Sequence, residues 1–299
     1  MRTFNALLLY EGSTKPNFPT YLTQNHPAKG VTHMEQENRM SPEQTTAAKV
    51  VTFANQKGGV GKSTSVVNIA ASLGVLGRRV LVVDTDPQGN TTSGFGVSKK
   101  TAAGTVYDVL IGRTEAAAAI QKTPFENISV LPANISLAGA EFELVMADNR
   151  ESRLRDALAP VKGDYDYILI DCPPSLGILT INALVAADGL VIPMQCEYYS
   201  LEGLSQLMMS VKQIKKRYNP ALALTGILIT MYNGRLNLST QVMDELKKYY
   251  AGKIFKTAVV RNVKLSEAPS FGMPVYYYDK LSRGAALYHE VAQELMQKI

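Results

Sequence analysis

Eight consecutive residues, Lys57-Gly58-Gly59-Val60-Gly61-Lys62-Ser63-Thr64, hold the densest chemistry in the chain. Glycines let successive backbone N–H groups converge on phosphate oxygens, a lysine reaches the β- and γ-phosphates, and a hydroxyl ligates magnesium. Lys62 is then the phosphate lysine and Ser63 the magnesium ligand. The ordinary phosphate-loop pattern needs a glycine five positions before Gly61, where this chain has Gln56. The pattern is therefore a variant, and it opens with a second lysine, Lys57, although one phosphate chain hardly requires two lysines from one loop. Gly59-Val60-Gly61 also supplies the first part of a dinucleotide fingerprint. The third glycine position is Thr64, however, and a lysine sits under the phosphates, which favours a nucleoside triphosphate.

Two acidic segments extend the chemistry. Val80–Val83 runs into Asp84-Thr85-Asp86-Pro87-Gln88-Gly89-Asn90, and Tyr167–Ile170 runs into Asp171-Cys172-Pro173-Pro174-Ser175. An aspartate ending a strand is ordinarily a turn or cap residue. Two of them beside a phosphate loop suit phosphoryl transfer to water, where magnesium and carboxylates that hold waters matter more than a strong base.

These groups need a scaffold that brings strand ends together. Val50–Ala54 precedes the loop, and a helical stripe of Val66, Ile69, Ala70, Leu73 and Leu76 follows it. Further continuous apolar runs are Val80–Val83, Tyr167–Ile170, Gly189–Pro193 and Leu224–Ile229. Continuous rather than alternating hydrophobicity marks strands buried on both faces of a parallel sheet. Amphipathic stretches near 134–146, 150–159, 199–217, 237–250 and 284–298 supply the covering helices. The expected fold is a doubly wound, mostly parallel α/β sheet whose ligands bind at the C-terminal ends of the strands. Residues 49–299 are expected to form one domain, and residues 1–48, which lack sustained periodicity, a disordered extension. Met34 and Met40 leave open a start further downstream.

Composition excludes other classes. No run approaches the ~20 apolar residues of a membrane span, and Ala6–Tyr10 is too short for a signal peptide core. With only Cys172 and Cys196, no disulfide framework or four-cysteine site can form within one chain, and a cytoplasmic setting fits. Histidine triads fail as well, because only His289 lies beyond the extension. The extension holds four basic and four acidic residues, so the whole net charge of +5 falls on 49–299. That excess permits a polyanionic partner.

The segments Lys57–Thr64, Asp84–Asn90 and Asp171–Ser175 resemble the deviant Walker A, A′ and B motifs of ParA/Soj/MinD-type ATPases. Gln195–Leu204, Thr230–Arg235 and Arg261–Gly272 narrow the resemblance to ParA/Soj chromosome- and plasmid-partitioning proteins, from about residue 49 onward. It implies a homodimer closed around two ATP molecules with Mg²⁺, in which Lys57 reaches the nucleotide of the opposite subunit. It also implies that Asp86 serves hydrolysis, that Asp171 supports magnesium through water, and that Asn233 contacts adenine. Arg235 and Lys264 match DNA-contacting positions, so non-specific double-stranded DNA, a ParB-like partner and a nucleoid-associated location are expected. Val260 stands where the family commonly has proline, and the 48-residue extension is too short and unpatterned for a helix-turn-helix domain.

Other readings make different demands. MinD-like membrane attachment needs a basic amphipathic C-terminal helix, whereas Leu287, Val291, Leu295 and Ile299 share their helix with His289, Glu290 and Glu294. The expected use of this stripe is packing against the sheet, and no membrane contact is expected. Cys172 and Cys196 are expected to be buried small residues, although a cysteine shared across a dimer axis could hold an iron–sulfur cluster. A P-loop metabolite kinase or ligase, resembling dethiobiotin synthetase, would need a substrate pocket. The basic run Lys212, Lys215, Lys216 and Arg217 near a helix C-terminus is accounted for by the helix dipole.

Overall fold

A computed structural model describes residues 47–100 and 102–299; the expected extension falls almost wholly outside them. Seven strands form one sheet: β1 (Lys49–Phe53), β2 (Val80–Asp84), β3 (Gln121–Lys122), β4 (Ile128–Leu131), β5 (Tyr167–Asp171), β6 (Gly189–Met194) and β7 (Ala223–Ile229). Their spatial order is β3-β4-β2-β5-β1-β6-β7. All pairings are parallel except the antiparallel β3–β4 edge.

The continuous apolar strands bury both faces, as their composition demands. Leu81, Val83, Ile168 and Ile170 enter one core, while Val80, Val82, Tyr167 and Leu169 alternate into the other. The helix Lys62–Val75 covers the second face through Val66, Ile69, Ala70 and Leu73, beside the last helix, Arg283–Lys298. That last helix buries Tyr288, Val291, Ala292 and Leu295, so its apolar side is spent on packing. None of the described helices is long and apolar enough to cross a membrane. The opposite face is covered mainly by Ile178–Ala186 and Tyr198–Arg217.

Five strands and the helices near 199–217, 237–250 and 284–298 lie where hydrophobic patterning puts them. The stretch 134–146 shortens to a helix at Leu137–Glu143 followed by a 3₁₀ turn at Leu144–Met146, because Asn134 Oδ1 accepts the Ser136 N–H (3.0 Å) and holds the entry as a turn. Likewise 150–159 contracts to Arg153–Leu158. Ala48 already belongs to the fold: it is buried, and its N–H donates to the Lys162 carbonyl at 3.0 Å.

Register does the positioning. β5 lies between β1 and β2, so Asp171 pairs with Phe53 on one side and with Asp84 on the other. The loop after β1 and both carboxylate segments therefore emerge at one level of one sheet edge, the C-terminal one.

Candidate functional site

The loop between β1 and its helix follows from its glycines. Gly59 and Gly61 adopt φ of +72° and +81°, a region that side chains with a Cβ avoid. Gly61 caps the helix without any side-chain bond, so the first-turn N–H groups are left for an anion. Side chains from the ends of β6 and β7 clamp the loop: Gln195 Nε2 donates to the Gly59 carbonyl (2.9 Å) and Thr230 Oγ1 to the Val60 carbonyl (2.8 Å).

A cavity of about 730 Å³ opens in front of this loop, lined by Gly58, Gly59, Gly61, Lys62, Ser63 and Thr64, with Asp86 on its wall. A second cavity, of about 340 Å³, shares Gly61, Thr64 and Leu265 with it and is lined by Val259, Val260 and Val263. Two adjoining cavities, one on the loop and one beside it, fit phosphates and a base. Val260 lines that second cavity together with Gly61 and Thr64 of the loop.

Lys62 is buried, and its Nζ donates to the Lys57 carbonyl at 3.2 Å. Burial pulls its pKa below the usual lysine range, a pull opposed by Asp171, Cys172 and Asp86. Lys57 behaves differently. Its ammonium does not line the loop cavity but pairs with Glu197 at the start of the helix Tyr198–Arg217. The two lysines of the loop thus point to different places.

Asp84 and Asp171 are wholly buried neighbours. Asp84 is well satisfied, accepting from Thr92 N (2.8 Å), Thr92 Oγ1 (2.7 Å) and Asp86 N (3.1 Å). Asp171 Oδ2 accepts from Thr91 Oγ1 at 2.7 Å, whereas Oδ1 has no partner among the described residues. Burial pushes both carboxyl pKa values up; the Asp84 charge raises Asp171 further, and the Asp86 charge raises Asp84. Asp86, also buried, accepts the Gln88 N–H at 2.9 Å through Oδ1.

An orphaned carboxylate oxygen beside the Ser63 hydroxyl calls for a cation or its water. No group of three or more His, Cys, Asp or Glu side chains among the described residues could hold a metal unaided. The donors fit magnesium, which keeps waters and shares phosphate oxygens with few protein ligands.

Asn233 lies elsewhere. It lines a third cleft with Arg235, Arg261 and Arg283, and its Oδ1 accepts the Arg235 N–H at 3.1 Å. Arg235 is exposed; the Lys264 ammonium pairs with Glu267 (2.9 Å) and lies 5.4 Å from the Tyr278 ring centroid. Cys172 and Cys196 are both buried, and burial pushes their thiols up to about 12 and about 11. Such thiols pack as small apolar groups.

Sequence reasoning missed Thr91 and Thr92, the hydroxyls that hold Asp171 and Asp84, and it missed Glu197 as the partner of Lys57. The short helix Asn90–Gly94 that presents the threonines has no periodicity to read.

The AAA_31 family model, an AAA domain, matches residues 48–224. The chain is 54% identical over 247 residues to sporulation initiation inhibitor protein Soj of Bacillus subtilis, covering 83% of this chain and 98% of that protein. The chain belongs to the ParA/Soj family of P-loop ATPases. Chromosome partitioning protein ParA of Myxococcus xanthus, another member of the ParA/Soj family by name, is 49% identical over 253 residues, or 85% and 89% of the two chains. Among solved structures, cobyrinic acid a,c-diamide synthase from Mycobacterium smegmatis with bound ATP analog and magnesium superposes with a TM-score of 0.73 at 39% identity, over 84% of this chain and 95% of that one. The seven-stranded, mostly parallel ParA/Soj fold agrees with what the residues predict.

Proposed function

We propose that this ATPase is an ATP-switched partitioning protein: two protomers close around two ATP molecules, the closed pair binds duplex DNA without sequence preference, and hydrolysis resets it. The observation that carries the reading is the division of labour between the two loop lysines. Lys62 lies in the cavity of its own loop, and Lys57 reaches out of that cavity to an exposed partner. A cation held outside its own site is free to be lent to a neighbouring subunit. Nucleotide can then act as the glue of the dimer, and its loss as the release.

Within one protomer, the loop N–H groups and Lys62 bind and neutralise the phosphates, and Ser63 and Asp171 would hold magnesium, Asp171 through water. Magnesium supplies charge neutralisation across the phosphate oxygens. Asp86, on the wall of the loop cavity, orients the attacking water. Asn233 contacts the adenine from the neighbouring cleft, and Arg235 and Lys264 contact DNA phosphates. A ParB-like partner accelerates hydrolysis, and the protein is carried on the nucleoid of the cytoplasm. Residues 49–299 constitute the switching domain.

The deciding experiment is a DNA titration without nucleotide, with ADP and with ATP, each at two salt concentrations. Tight, salt-sensitive binding is expected only with ATP. Equal affinity in all three conditions overturns the proposal, and turnover that depends on a small metabolite instead of DNA points to a ligase-type activity.

A further inference from the structure

The backbone of Asp171 is fixed from several sides. Its position is set by register between Phe53 and Asp84, and its carbonyl accepts both the Thr85 N–H (2.9 Å) and the Thr85 hydroxyl (2.6 Å). What remains to be set is the torsion of the carboxylate, which for an aspartate is broad and roughly two-fold. Thr91 sets it. Its hydroxyl donates to Oδ2 at 2.7 Å, and Oδ1 is the oxygen left without a partner among the described residues. A threonine hydroxyl carries one proton, so Thr91 has nothing more to donate.

The short helix Asn90–Gly94 that carries this hydroxyl is itself pinned. Thr92 donates to Asp84 Oδ2 through its N–H and its hydroxyl, and the same hydroxyl accepts the Ala133 N–H at 2.9 Å. Adjacent threonines thus address adjacent strand ends, Thr92 that of β2 and Thr91 that of β5. The outcome differs in one respect: both oxygens of Asp84 are engaged, whereas one oxygen of Asp171 is not. Thr91 is wholly buried and lines neither of the two cavities at the loop, so it can reach a ligand there only through Asp171. Groups that orient a metal-holding carboxylate from behind typically change metal affinity by about 10–100-fold. We infer that Thr91 is a positioning residue for the cation site, holding Oδ2 so that Oδ1 is presented to the water shell of magnesium. The inference rests on the magnesium role proposed for Asp171 above.

The test follows binding of a fluorescent ATP analogue to the full chain as magnesium is titrated, and repeats the binding in EDTA. Thr91→Val matches the side chain in shape but lacks the donor. It is expected to raise the magnesium midpoint about tenfold while leaving the affinity in EDTA at the wild-type value. Thr91→Ser keeps the donor and is expected to keep the wild-type midpoint. Thermal melting without nucleotide checks that each variant folds; should Thr91→Val fail to fold, Thr91→Ala takes its place beside Thr91→Ser. A wild-type magnesium midpoint in the variant without the donor overturns the inference and leaves the role of Asp171 standing. So does an equal rise in Thr91→Ser, which assigns the effect to the lost methyl group, or an equal loss of affinity in EDTA, which assigns it to the shape of the loop. A wild-type chain whose nucleotide binding is indifferent to magnesium overturns both this inference and the magnesium site.

Discussion

Lys57 is ion-paired with Glu197 of its own chain, across 140 residues of sequence, while Lys62, five positions after Lys57, stays in the loop cavity. The side chains of the pair are 40% and 48% exposed, so the bond contributes no more than about 1 kcal/mol to folding. Glu197→Gln is expected to leave the urea midpoint nearly unchanged. Because Lys57 must give up this partner to reach a second subunit, the same variant should dimerise at a few-fold lower ATP concentration. A higher ATP requirement, measured by light scattering, contradicts that competition.

Lys62 and Asp86 are expected to fail differently. Lys62→Ala removes the buried cation of the loop and should abolish ATP binding and nucleotide-dependent dimerisation together. Asp86→Ala should retain ATP and DNA binding but lose turnover, as read from single-turnover phosphate release. Unchanged ATP affinity in the first variant, or normal hydrolysis in the second, refutes the assignment.

Asp171 ties stability to pH. Burial, followed by the neighbouring Asp84 charge, raises its pKa above the ordinary 3.8. The folded chain therefore keeps a proton that the unfolded chain has already released, and stability falls as pH climbs from that ordinary value through the raised one. Asn carries no charge, so Asp171→Asn should raise the melting temperature by several degrees at pH 8 and change it little at pH 4, without nucleotide. The gain should come with weakened magnesium-dependent ATP binding. Equal effects at both pH values, followed by calorimetry, rule out this origin.

Leu295 is completely buried in the last helix, among Tyr288, Val291 and Ala292. Leu295→Ala should cost about 2–5 kcal/mol of stability, the range for a cavity-forming core truncation. Exposing this stripe for a membrane would forfeit the same packing. Wild-type protein is therefore expected to pellet with anionic vesicles no better in ATP than without nucleotide.

The phosphate loop was legible because its chemistry is local: strand, glycines, lysine and hydroxyl are adjacent, and a glycine turn before an amphipathic helix has few alternatives. The central strands were legible for a similar reason, since runs such as Val80–Val83 and Tyr167–Ile170 can be satisfied only by burial on both faces. The short peripheral elements were not. β3, β4 and the helices Asn90–Gly94 and Val106–Leu110 span too few residues to establish a repeating pattern, and tertiary contact decides their conformation.

From residue order alone came the kinds of group at each strand end and the presence of a spare lysine. Only the folded chain decided which groups meet. Parallel register set Asp84 beside Asp171, the start of a distant helix gave Lys57 its partner, and three separated segments gathered the arginines into one cleft. The physical reason is that backbone preference and solvation act between near neighbours, whereas sheet pairing and core packing join positions that no local pattern relates.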